Sequence, residues 1–139
     1  MFRQLRPCFA RLARDDGAIM RHAEIERFCL SLRAATLSIQ WGEARVFKVG
    51  GKMFAVLGPK EDKPHHLFFK AGETSFHILT QLRHIVPAPY LARAHWVYLE
   101  RLDALPAKEL KAYLERAHRL VAMGLSKKKR GELGIANVG

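Results

Sequence analysis

The sequence predicts one α+β domain, built from a small antiparallel sheet and about three helices. Two observations predict it. Apolar runs with strand alternation meet at Gly50-Gly51, and three other segments carry apolar residues at helical spacing. The predicted order of elements is α-β-β-β-β-α-β-α. A chain of 139 residues holds one domain with its own core and is too short for two comfortable ones.

The clearest local pattern is a β-hairpin with arms at about 44–49 and 52–57. Glycine at both central turn positions accepts positive φ without a Cβ penalty, which is typical of a tight hairpin turn. Side chains alternate along a strand, so Val46 and Lys48 share one face of the first arm, with Phe47 and Val49 on the other. The hairpin is therefore predicted to have an apolar face and a basic face.

The remaining elements are predicted from the spacing of apolar residues and from proline and glycine residues that end helices and strands. Apolar positions at i, i+3, i+4 and i+7 predict a first helix over 22–35, and a second helix is predicted over 73–83 with Phe76, Leu79 and Leu82 inward. Pro106 begins a last helix that runs to about Met123 and ends at a Gly124 cap. Short strands are predicted over 36–41, 66–70 and 95–99, with a polar loop over 58–64 and a stiff proline turn over 86–90.

These patterns divide the chain into three parts. The domain is predicted over 20–125, because a clean helical pattern opens at Met20. Residues 1–19 are interpreted as an N-terminal extension, either disordered or an artefact of the start site. Residues 126–139 are interpreted as a flexible basic tail with little to bury.

Charge gives the main indication of a partner. The chain has 24 Lys and Arg against 13 Asp and Glu, a net charge of +11 and a pI near 10.2. Such an excess favours polyanions, of which nucleic acid is the commonest. The alternative interpretation is that these cations only form a solvated surface.

The chain shows no catalytic or metal-binding pattern. Cys8 and Cys29 are too few for a disulfide framework, which indicates a reduced, cytoplasmic setting. Adjacent His65 and His66 point to opposite faces of a strand and cannot chelate one ion together, and the zinc spacings of cysteine and histidine are missing. Gly50-Gly51-Lys52 lacks the frame of a phosphate-binding loop. We therefore predict no enzyme, no metal, no cofactor and no membrane span.

Two strings identify a family resemblance. Val46–Ala55 (VFKVGGKMFA) and Pro87–Val97 (PAPYLARAHWV) together resemble the MmcQ/YjbR-like family. The resemblance extends from about Met20 to Leu125. It implies a double-wing α+β domain of small bacterial proteins, similar in shape to the DNA-binding domain of a phage transcription factor. The family's presumed role is DNA binding, an implication that rests on fold analogy. The N-terminal segment and the basic tail depart from the family pattern.

The leading functional hypothesis is a monomeric nucleic-acid-binding module, with duplex DNA as the partner. Basic side chains on the sheet, beside it and in the tail are the predicted phosphate contacts: Arg45, Lys48, Lys52, Lys70, Arg93, Lys127, Lys128, Lys129 and Arg130.

The alternative hypothesis is a surface formed by Arg93, His95 and Trp96 that binds another protein or a small anionic ligand. A structural interpretation competes with it. In that interpretation Trp96 packs against the last helix, and His95 caps or hydrogen-bonds the proline turn.

Overall fold

The computed structural model describes residues 19–60, 65–89 and 91–135, and it has the α+β architecture that the sequence predicts. One antiparallel sheet has the strand order β1-β2-β3-β4-β6-β5. Its strands are β1 (Ala35–Gln40), β2 (Ala44–Val49), β3 (Lys52–Leu57), β4 (Leu67–Lys70), β5 (Ile85–Pro87) and β6 (Trp96–Leu99). The helices in the described ranges are α1 (His22–Ser31), α2 (Glu73–Leu79), α3 (Ala107–Met123) and α4 (Lys127–Glu132).

The structure adds two elements to the predicted order. The segment predicted as a stiff turn contains β5, which is extended and pairs antiparallel with β6. Proline is tolerated there because β5 is an edge strand, where a missing N–H breaks no interior ladder. The second addition is α4. Helix α2 is also shorter than predicted and ends at Leu79, so Leu82 is exposed rather than inward.

Helices α1, α2 and α3 lie against one face of the sheet, and residues on either side of α4 (Leu125, Leu133 and Ile135) pack into the same core. The main core joins Ile25 and Cys29 of α1 with the apolar stripe of α3 and with strand residues such as Phe47 and Phe69. In α3 the buried stripe comprises Leu110, Leu114, Ala117, His118, Val121 and Ala122. Within the described ranges, no helix is long and apolar enough to cross a bilayer.

The opposite face of the sheet has a smaller apolar cluster that contains no helix residue. Its buried members are Ala44, Val46, Val56, Ala88 and Trp96. Trp96 therefore packs away from the last helix, so the structural interpretation of that residue was wrong about its partner. The reason is strand alternation: Val97, its neighbour on β6, takes the helix-covered face. No helix of residues 19–60, 65–89 or 91–135 contributes to this cluster, and we call this side of the sheet the open face.

The C-terminal segment differs from the expected flexible tail. Residues 127–132 form α4, which Ser126 caps by accepting a hydrogen bond from the Lys129 backbone N–H. Ile135 is 3% exposed and belongs to the main core, and Leu133 packs against it. Apolar residues on both sides of the basic run, Leu125 before it and Leu133 and Ile135 after it, hold the segment on the domain. The predicted N-terminal extension (1–19) falls outside the described residues, apart from Ile19, as do 136–139 of the tail.

The C-terminal segment packs closely against the hairpin turn. Gly50 has a φ of +62°, and a Cβ on it would stand 2.6 Å from Leu125 Cδ1 and 3.3 Å from Leu133 Cδ1. Gly51 has a φ of +84° but open space around its Cβ position. Both glycines thus adopt a positive φ, but only Gly50 lacks room for a Cβ.

We expect Gly50→Ala to destabilise the fold more than Gly51→Ala. Both substitutions place a Cβ in the left-handed region, which costs about 1–2 kcal/mol, and only Gly50→Ala also displaces Leu125. Urea unfolding of the two variants gives the comparison, with Gly51→Ala as the matched control. Equal losses of unfolding free energy would show that the C-terminal segment does not press on the turn.

Candidate nucleic-acid interface

Strand register divides the sheet into two ends. Ala35 of β1 pairs with Val49, Val49 pairs with Lys52 across the Gly50-Gly51 turn, and Lys70 of β4 pairs with Trp96. The start of β1, the hairpin turn, the end of β4 and the start of β6 therefore lie at the same end. Segment 125–135 packs on that turn. We call this end of the molecule the basic pole.

Cations concentrate at the basic pole. Nine Lys and Arg residues of the described chain lie there: Arg33, Lys48, Lys52, Lys70, Arg93, Lys127, Lys128, Lys129 and Arg130. Against them stand two carboxylates, those of Glu73 and Glu132. Six of the nine basic residues are exposed, and Lys48, Lys70 and Arg130 are half-buried.

At the opposite end, the charges of the described residues are balanced. It contains the β1–β2 turn, the starts of α1 and α3, and the loops after β3 and β6. Its described basic residues are Arg21, Arg45, Lys60, Arg83, Arg101 and Lys108, and its acidic residues are Glu24, Glu26, Glu43, Glu100, Asp103 and Glu109. The described charges of this end are thus six positive and six negative. Five further charged residues lie on the bodies of α1 and α3 and belong to neither count: Arg27, Lys111, Glu115, Arg116 and Arg119. The basic pole therefore has most of the excess positive charge of the described residues.

Eight of the nine predicted phosphate contacts meet at the basic pole, and Arg45 does not. Arg45 lies toward the other end of β2, on the helix-covered face, with its Nε 3.0 Å from Oε1 of Glu26. Arg45 therefore stabilises the contact of α1 with the sheet. In contrast, Lys48 and Lys70 point to the open face, and Lys70 Nζ donates to the carbonyl oxygen of Ala94 at 3.4 Å.

Sequence reasoning missed Arg33. It follows α1, precedes β1 and is exposed, and its guanidinium lies close to Gly134. Its carbonyl oxygen accepts a hydrogen bond from Nε2 of His118 on α3 at 2.7 Å. The signal that could have found it is the pairing of β1 with the hairpin, which places the residues before Ala35 beside the turn.

The alternative surface of Arg93, His95 and Trp96 is not assembled as one patch. The His95 ring lies 5.3 Å from that of Phe76, on the side of α2. Trp96 is 4% exposed and lies in the open-face cluster with Ala88 and Leu91. Arg93 is exposed on the 3₁₀ turn Ala92–Ala94. The three side chains diverge because His95 adopts a left-handed φ of 62° just before the strand.

A depression of about 1010 Å³ opens at the balanced end. The rings of His22 and His65 stand 4.8 Å apart in it, with Nε2 of His22 2.8 Å from the carbonyl oxygen of Gly58. Burial lowers the pKa of His22, which favours the neutral ring. Arg101 is paired with Asp103, 2.6 Å from Nη2 to Oδ2. The His22, Arg101 and Asp103 side chains of this depression thus already have hydrogen-bond partners, in the backbone or in one another.

Neither the Cys29 thiol nor a cluster of metal-ligating side chains forms a reactive site in the described residues. Burial raises the pKa of the Cys29 thiol to about 12, so it is not a thiolate at neutral pH. Among the described residues, no three or more His, Cys, Asp or Glu side chains converge as metal ligands would.

The fold and the charge distribution define a small α+β protein with a sheet backed by helices on one face and a cationic pole. The profile of the YjbR family matches residues 30–120, so the chain belongs to the YjbR family. It is similar to the crystal structure of Deinococcus radiodurans protein DR2400, with its DUF419 domain. That match has a TM-score of 0.71 and 25% identity, and it covers 89% of this chain and 93% of the other. No curated protein matches the chain.

Proposed function

We propose that this protein binds nucleic acid through its phosphate backbone, with the basic pole as the contact surface. The observation that carries the proposal is the segregation of charge among the described residues: nine cations and two carboxylates lie at the basic pole, and six cations and six carboxylates lie at the opposite end. If the excess Lys and Arg residues were placed at random, we would expect an excess of positive charge at both ends. A concentrated positive field attracts a polyanion and speeds its encounter with the protein.

The chemistry of the pole suits phosphates. Lys and Arg side chains on phosphate oxygens provide affinity and orientation without reading base sequence. Duplex DNA, the partner that the family resemblance implies, offers a regular array of such oxygens. We place this activity in a monomer in the cytoplasm, where the buried Cys29 thiol stays unpaired.

Reversing charge at the basic pole is expected to weaken binding, whereas the same change elsewhere is not. The test variant is Lys52→Glu with Arg93→Glu, and the matched control is Lys60→Glu with Arg83→Glu; all four residues are exposed. Both pairs lower the net charge equally. We expect about a 10- to 100-fold loss of affinity for the test pair at about 50 mM salt. Fluorescence anisotropy with a labelled duplex of about 20 base pairs measures it.

Two outcomes contradict the proposal. If the wild-type chain retains neither duplex nor single strand at low salt, nucleic-acid binding is lost as a function. If the control pair weakens binding as much as the test pair, affinity follows net charge alone and the basic pole is not the contact surface.

A further inference from the structure

Three aromatic rings form a continuous strip on the open face. Phe68 of β4 and Tyr98 of β6 are paired residues, and their ring centroids lie 4.6 Å apart. His66 continues the strip, stacked on Tyr98 with centroids 5.3 Å apart and planes 8° from parallel. The Tyr98 hydroxyl is hydrogen-bonded to Nδ1 of His66, which holds the two rings together. We call these three residues the aromatic strip.

The strip is continuous with the basic pole. Lys70 and Phe68 alternate on β4, and His66 directly precedes that strand in the same alternation, so the three share the open face. Lys70 to His66 spans about 13 Å at a rise of about 3.3 Å per residue. Lys48 lies on the same face, on β2, which is two strands from β4, and it pairs with Met53 of the intervening strand β3. Apolar residues and small polar ones make up the other described open-face positions of the strands: Thr36, Ser38, Gln40, Ala44, Val46, Val56, Val86 and Trp96.

The open face therefore combines aromatic rings with cations and, in its described positions, has no carboxylate. A partner that matches it needs flat apolar groups with anionic groups beside them. Nucleotides supply both, because each base has a π face and each linkage carries a phosphate. A duplex keeps its bases stacked inside, whereas a single strand can lay them on protein rings.

We propose that the preferred ligand of this protein is single-stranded nucleic acid. Its bases stack on the Phe68 end of the aromatic strip, and its phosphates contact Lys48, Lys70 and the basic pole. This inference rests on the proposed function and narrows it, because the phosphate contacts are shared with duplexes and the stacking contacts are not. Stacking of a base on an aromatic ring contributes about 1–3 kcal/mol and tolerates any base sequence.

One titration series compares single-stranded with duplex ligands, and wild type with variants that lack one aromatic ring. Labelled deoxythymidine and uridine oligomers of about ten nucleotides and a duplex of about 20 base pairs are titrated against wild type, Phe68→Leu and Trp41→Leu. Trp41, 66% exposed at the balanced end, is the matched aromatic control. We expect the oligomers to bind more tightly than the duplex. Phe68→Leu should weaken the oligomers about 5- to 150-fold without changing the duplex, and Trp41→Leu should change neither.

The outcomes separate the two proposals. If the wild-type protein binds neither the oligomers nor the duplex, the proposed function itself is contradicted. Wild type that binds duplex as tightly as the oligomers, with Phe68→Leu neutral for both, overturns this inference and leaves the basic pole intact. Tighter binding of one oligomer distinguishes DNA from RNA. If Phe68→Leu does not fold, the wild-type comparison decides: oligomers that bind more tightly than the duplex support the inference, and oligomers that bind no more tightly than the duplex overturn it.

Discussion

Raising the salt concentration from about 50 to 200 mM is expected to weaken duplex binding about 10³-fold. If six of the nine cations at the basic pole neutralise phosphates, the slope of log K against log salt is about −5. The physical cause is the release of counterions that the protein's charges replace on the backbone. Titrations at four or more salt concentrations between these limits give the slope directly.

The same measurement locates the contacts. Lys52→Glu with Arg93→Glu removes two phosphate contacts, so its slope should be shallower by about 2. The control pair Lys60→Glu with Arg83→Glu should keep the wild-type slope. A wild-type slope near zero would mean that the observed binding is not made through phosphates.

Ile135→Ala is expected to lower the free energy of unfolding by about 2–5 kcal/mol. Ile135 is 3% exposed in the main core, and its truncation removes apolar contacts and leaves a cavity. Ile78→Ala is the matched control, because Ile78 is 53% exposed on α2 and should cost less than about 0.5 kcal/mol. Urea unfolding followed by circular dichroism compares the two.

The result bears on how the basic tail is tested. If Ile135→Ala costs no more than Ile78→Ala, segment 126–135 is an appendage, and its deletion is a clean probe of binding. With the expected loss, deletion would remove part of the core together with the cations. Charge reversal at Lys127, Lys128 and Lys129 is then the suitable probe, because these exposed side chains change without disturbing Ile135.

Local patterns were enough to predict much of the fold. The arms at 44–49 and 52–57 match β2 and β3 because alternation and the Gly50-Gly51 turn are encoded in neighbouring residues. The last helix also matches, from Pro106 as its N-cap to Gly124 as its C-cap. Strand β5 was missed because three residues with a proline give no strand signal until β6 pairs with them.

The candidate site was less accessible to sequence reasoning. Alternation already puts Lys48 and Arg45 on opposite faces of one arm, but only the structure shows that Arg45 pairs with Glu26 of α1 and that Lys48 lies near the basic pole. Arg33 gave no signal because it stands far in sequence from the turn that it approaches. The Phe68–Tyr98 pair spans 30 positions, and only the register of β4 with β6 brings the two rings together.

The sequence by itself determined the α+β class, the hairpin, the family resemblance and the excess of positive charge, because each depends on composition or on residues close along the chain. Only the folded structure shows that the described charges concentrate at one end, that segment 127–135 is packed, and that no helix of the described residues covers the open face. Those properties depend on strand register and on which apolar residues meet across the core. Such contacts join distant parts of the chain, so no local pattern encodes them.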